Sequence, residues 1–214
     1  MAAPERDTVI EQIRTTFASV EYPGDAFLTG SEEGCEPGDA TAPFVGCTDR
    51  MTLSPATLDA HGDALGFFSE AGFRFFLPAY LIADLRRQLA TADPLFHLTG
   101  GFIESLVELP MAAGVFSKTI GRRAFVNPLR YGAMTFEDYA RYRLSVFTRE
   151  EAGTIVAYLR QRRAADTDGI DRSQIDAALE CLWTARAAQA PAALAVQEHL
   201  RTEAAYLRTL STER

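Results

Sequence analysis

The sequence predicts a mainly α-helical protein: an irregular multi-helix domain of seven to nine helices, with a C-terminal helical hairpin and at most a minor β element. Three observations lead there. Apolar residues recur at spacings of three and four in several segments, as in Val9, Ile13, Phe17 and Val20, which places them on one helix face. Helix-starting signals stand before those segments, in Ser54-Pro55, Ser69-Glu70, Thr135 with Asp138, and Thr148 with Glu151. The stretch AGFRFFLPAYLIADL, residues 71–85, is apolar nearly all round, as a helix surrounded by protein is.

The first helix is expected to end near Val20, where YPGD at 22–25 stops it. Residues 23–50 hold five Gly, three Pro and the acids Glu32, Glu33, Glu36 and Asp39, and read as a long loop with a short extended piece at Phe44–Val45. Ser54 caps a short helix to about His61, and Ser69 opens the helix of the aromatic stretch. Pro78 removes a backbone donor, so a break or kink is expected near Leu77, with a second helix from Pro78 to about Ala90. Pro94 starts an apolar helix to about Leu109, with LTGGF at 98–102 as an irregularity in it. Residues 110–134 have no sustained period. Helices over about 136–146 and 149–164 follow, then a DTDG loop at 166–169. Two last helices, marked by Ile175, Leu179, Leu182 and by Leu200, Leu207, Leu210, form a hairpin over 170–214. It is expected to be separable from a 1–164 helical core domain, whose insert is about 104–142, and to pack on that core or on a partner.

Composition narrows function mainly by exclusion. Apolar residues are 47% and charged residues 23%, ordinary globular values that argue against disorder. A net charge of −8 argues against nucleic acid as a partner, which needs clustered bases. The longest uncharged run, Ala187 to Gln197, is 11 residues, against the roughly 20 that span a bilayer, so no membrane partner is expected. The N-terminal residues carry acids where a secretion signal has an apolar run, and the expected location is cytoplasmic. Three cysteines, Cys35, Cys47 and Cys181, are too few and too odd for a disulfide framework.

A resemblance rests on VEYPGD (20–25), on LSPATLDAHGDALGFFSEAGFRFFLPAYLIADL (53–85) and on FTREEAGTIVAYL (147–159). The chain is similar to a bacterial family of uncharacterised proteins, a domain of unknown function with a PGD turn and an EAFRFFLPAYL-like signature. The match covers about 8–103 and 143–163, with 104–142 and 165–214 as additions. It implies boundaries and no mechanism.

No catalytic set is legible. Cys35, Cys47 and His61 lack the close spacing of a zinc site, and no metal or cofactor is expected. His97, between Phe96 and Leu98, reads as a core histidine. Arg74 inside the aromatic stretch must reach solvent or pair with a carboxylate, with Asp25, Asp63 and Glu70 as candidates. Residues 1–70 hold 13 acids and 3 bases, whereas Lys118 to Arg143 holds six bases and two acids. The leading expectation is a non-enzymatic interaction or regulatory protein, meeting a protein partner or a second copy of itself. The alternative is an enzyme or binder of a small anionic ligand. Arg74, Arg122, Arg123, Arg130 and Tyr131 are the binding candidates for either.

Overall fold

The computed structural model describes residues 5–30, 35–103, 109–110, 117–120, 123–126, 133–134, 136–198 and 200–201, the strand segments by backbone alone. The chain is mainly helical. Its elements are α1 (Arg6–Thr16), α2 (Glu36–Thr41), α3 (Pro55–Ala60), α4 (Ala64–Phe67), α5 (Glu70–Leu85), α6 (Pro94–Thr99), α7 (Phe136–Arg143), α8 (Arg149–Ala165), α9 (Arg172–Ala178) and α10 (Thr184–Gln189). The minor β element is two nested antiparallel ladders. β1 (Leu109–Pro110) pairs β4 (Ala133–Met134), and β2 (Ser117–Ile120) pairs β3 (Arg123–Val126). Among the described residues no helix is long and apolar enough to cross a membrane.

α5 is the central element. Ser69 caps it by accepting the N–H of Gly72, and Phe73, Phe76, Leu77, Tyr80 and Leu81 have no exposed surface. Pro78 does not divide it: the helix runs continuously from Glu70 to Leu85. Neighbours on every side hold it, so packing outweighs the one hydrogen bond that Pro78 forfeits. It ends five residues before the sequence suggests, in a Schellman turn. There Gln88 N–H donates to Ala83 C=O and Arg87 N–H to Asp84 C=O, and Arg87 takes the left-handed conformation (φ 58°) usually given to Gly. Asp59 Oδ1 then accepts the N–H groups of Ala90, Thr91 and Ala92 at 2.8–2.9 Å and pins the chain against α3.

The YPGD turn is built by its own side chains. Gly24 has φ 90°, which favours Gly. Asp25 accepts from Tyr22 OH and, at 2.8 Å, from Gly46 N–H, closing the loop on itself. Tyr22 sets its ring edge-on to Phe75 and Phe76 of α5. The 23–50 stretch is less irregular than the sequence implies, since it contains α2 and a 3-10 turn over Ala42–Phe44. Phe44 is not extended: it is wholly buried against Phe68 and Phe76. Leu28 C=O lies where a Cβ on Gly72 would sit, 2.7 Å away, so α5 needs glycine there.

α6 is also shorter than expected. Gly100 and Gly101 (φ 93°) end it, so LTGGF is a helix terminus rather than an irregularity within a longer helix. α9, a π-helical stretch over Leu179–Trp183 and α10 form one continuous rod. The rod turns at Ala190 and Pro191 into a further helical segment, 193–198 with 200–201 among the described residues. This C-terminal region shares the main core rather than standing apart. Trp183 is fully buried, touches Phe147 and donates its indole N–H to Leu98 C=O at 2.9 Å.

Phe76→Ala is expected to cost about 3–5 kcal/mol in denaturant unfolding. A chain truncated after Ala165 is expected to lose its cooperative melt, because Trp183, Leu182 and Ile175 leave the core with it. A sharp melting transition in the truncated chain would show two independent units.

Candidate functional site

Consecutive residues of α5 each meet a charged group from another element. Phe73 lies under the Arg143 guanidinium, 4.5 Å from ring centre to Cζ. Phe75 lies under Arg50, at 4.7 Å. Arg74, between them, is 3% exposed and pairs with Glu151, 1% exposed, through Nη2–Oε1 at 2.6 Å and Nε–Oε2 at 2.9 Å. The partner is thus Glu151 on α8, and none of Asp25, Asp63 or Glu70. Glu151 completes a capping box as well: its Oε2 accepts Thr148 N–H at 3.0 Å while Thr148 Oγ1 accepts Glu151 N–H. One carboxylate therefore caps α8 and neutralises the buried cation of α5.

That pairing removes Arg74 from the binding candidates. Arg122, Arg130 and Tyr131 lie outside the described residues, and Arg123 is placed only by its backbone in β3. Two further buried arginines carry no sequence signal. Arg186 is 1% exposed and donates from Nε to Phe147 C=O at 2.8 Å. Arg50 is 7% exposed; its Nη1 donates to Val20 C=O at 3.1 Å, its Nη2 donates to Phe17 C=O, and its Nε has no partner. Arg50 thereby satisfies carbonyls just beyond the end of α1.

Arg50 also lines an open cleft of about 490 Å³ between the end of α1 and α5. The chain builds it from the bottom up. Asp49 accepts Met51 N–H and starts the 3-10 turn Arg50–Thr52, which lays Arg50 on Phe75. Phe75 and Pro78 of α5, with Ile13 and Val20, supply apolar walls, and Arg14, Glu21, Tyr22, Asp49 and Met51 are among the other lining residues. Tyr22 has its phenol pushed up to about 12 by burial and the Asp25 carboxylate. A second, more polar cleft of about 690 Å³ holds Asp84, Arg162, Asp166 and Asp171. Arg162 there is already engaged by Asp84 and Asp171.

His97 is held neutral. Burial first, and then the Arg143 charge, push its imidazole down to about 4. Cys35, Cys47 and Cys181 are free thiols, and among the described residues no cluster of His, Cys, Asp or Glu is placed to hold a metal. Comparison of the chain with protein-family models, with curated proteins and with solved structures gives no match.

Glu151→Ala is expected to cost about 3–5 kcal/mol, since it strands a buried guanidinium, whereas Arg74→Met with Glu151→Met should recover most of that loss. Equal losses in single and double variants would show that the pair is not the source of the cost. For His97 the folded-state value lies below the unfolded one, so the folded chain binds fewer protons between pH 6.5 and about 4. Stability should be full above pH 6.5 and decline by roughly 3 kcal/mol as pH falls to about 4. His97→Leu should flatten the curve in that window, and a curve of unchanged slope would refute the assignment.

Proposed function

We propose that this chain is a cytoplasmic, non-enzymatic protein of the bacterial family it resembles, acting by presenting the acidic surface of its N-terminal part to a protein partner with a basic face. The observation that carries this reading is where the charge of residues 1–70 ends up. The region holds 13 acids against Arg6, Arg14 and Arg50, and Arg50 is folded inward. The surface is therefore more acidic than the composition alone conveys. Glu36 and Asp39 stand exposed on α2. Val45 and Met51 are 56% and 43% exposed in the segment that follows. Exposed apolar side chains, Met among them, beside charges of one sign suit a partner interface, with the charges setting encounter rate and specificity. Two acidic faces repel, so a second copy of the chain would have to meet this one with its basic 118–143 segment.

Glu36→Lys with Asp39→Lys tests the reading. Both residues are exposed, so melting should move little. Proteins captured from the host lysate by wild type at about 50 mM salt should be lost by the double variant and by wild type at about 300 mM. The same proteins held by both chains at both salt levels would overturn it.

A further inference from the structure

We infer that α7 is an acid-released strap: in mildly acidic solution it lifts off the helical body ahead of the rest of the fold, because Arg143, which ties it down, shares the Phe73 ring with His97. This goes beyond the partner-binding reading and does not rest on it. The strap is lightly held. Of the side chains described on α7, those of Glu137, Ala140, Arg141 and Arg143, that of Ala140 alone is buried. The arginines supply the other attachments. Arg141 stands 5.9 Å from the centre of the Phe102 ring. Arg143 lies 4.5 Å over Phe73 of α5 and donates to Leu65 C=O of α4. Elements with few buried apolar contacts are the ones that open locally while the core stays closed.

His97 stands beside both anchor points of Arg143. Its ring centre is 6.4 Å from that of Phe73. Its Cε1 lies 4.0 Å from where a Cβ on Gly66 would sit, next to the Leu65 that Arg143 holds. The imidazole makes no hydrogen bond to the described residues, so no carboxylate among them favours its charged form. The elements packed around α6 do carry charges. On α5 and α9, Arg74, Asp84 and Asp176 are paired with Glu151, Arg162 and Arg163, and Glu70 and Arg172 have no part in the His97 shift. Asp63 before α4 and Asp93, the cap of α6, have none either, whereas Arg143 does. A proton on His97 therefore sets a second cation beside Arg143 in a site shielded from water, and the two repel. The sign follows. Folded, His97 is held down to about 4; released, it returns to 6.5. The open form binds more protons between those values, so opening becomes more frequent as pH falls. An opening that frees His97 fully grows about twentyfold from pH 7 to pH 5.

The test follows backbone hydrogen exchange by mass spectrometry in peptides covering α7 and α8, corrected for the intrinsic dependence of exchange on pH. In the wild-type chain the opening of α7 should grow about twentyfold from pH 7 to pH 5, while that of α8 changes far less. His97→Gln should remove most of the growth in α7, and His97→Phe takes its place if the glutamine variant does not fold. Arg143→Gln should leave α7 more open at both pH values and blunt its response to acid. Equal growth in α7 and α8 would show that acid loosens the whole fold. Undiminished growth in the His97 variant would assign the response to another group. Either result overturns the inference.

Discussion

The fold depends on one buried ion pair. Arg74 sits in the middle of the most apolar helix of the chain, where an unpaired guanidinium would be prohibitive. Glu151 answers it from 77 residues away in sequence, and the same carboxylate must be in place for α8 to start. Pairing and capping share one group, so α5 cannot dock without α8 in its correct register, and α8 cannot shift without undoing its own N-terminus. A buried pair of this kind is weak evidence for net stability, because apolar replacements of both partners often do as well. Its contribution here is registry: it ties the first turn of α8 to one position on α5.

The other inward arginines act on the same principle with carbonyls instead of carboxylates. Arg50 takes up Val20 and Phe17 C=O just past α1. Arg143 donates to Leu65 C=O and Arg186 to Phe147 and Ser145 C=O. Each satisfies backbone acceptors at a place where a helix or turn has ended inside the protein. Planar, many-donor guanidinium groups suit this work better than an ammonium does. Arg50 and Arg143 also lie over the rings of Phe75 and Phe73, so the aromatic core and these arginines are one construction.

Much of this was legible in the sequence and some of it was not, for reasons that can be stated. Ser54, Ser69 and Thr148 act as helix caps, because a cap is a local matter of one side chain and the next three N–H groups. The burial of residues 73–85 was legible because almost no polar face is available. Helix ends are less legible. α5 stops at Leu85, in a turn whose left-handed residue, Arg87, is no glycine, and α6 stops at glycines that a longer helix would tolerate. The continuity through Pro78 is not legible locally, because tertiary packing overrides a local penalty. The need for a partner to Arg74 was evident. Its identity was not, because Asp25, Asp63 and Glu70 all lie nearer in sequence than Glu151, which is 77 residues away. The cleft was invisible for the same reason, being made by Arg14, Arg50 and Phe75 from three separated segments.

The segments VEYPGD (20–25), FRFFLPAYL (73–81) and FTREEAGTIVAYL (147–159) meet in space. Tyr22 and Asp25 of VEYPGD close a loop onto Phe75 and Phe76 of FRFFLPAYL, and Arg74 of that stretch meets Glu151 of FTREEAGTIVAYL. These side chains are occupied in holding the elements together. Other side chains stay at the surface: Arg14 at the rim of the cleft, Met51 beside it, and Glu36 and Asp39 of α2. Arg14 and Met51 lie outside these three segments. Neither takes part in the Arg74–Glu151 pair, so either can be replaced while that pair stays in place.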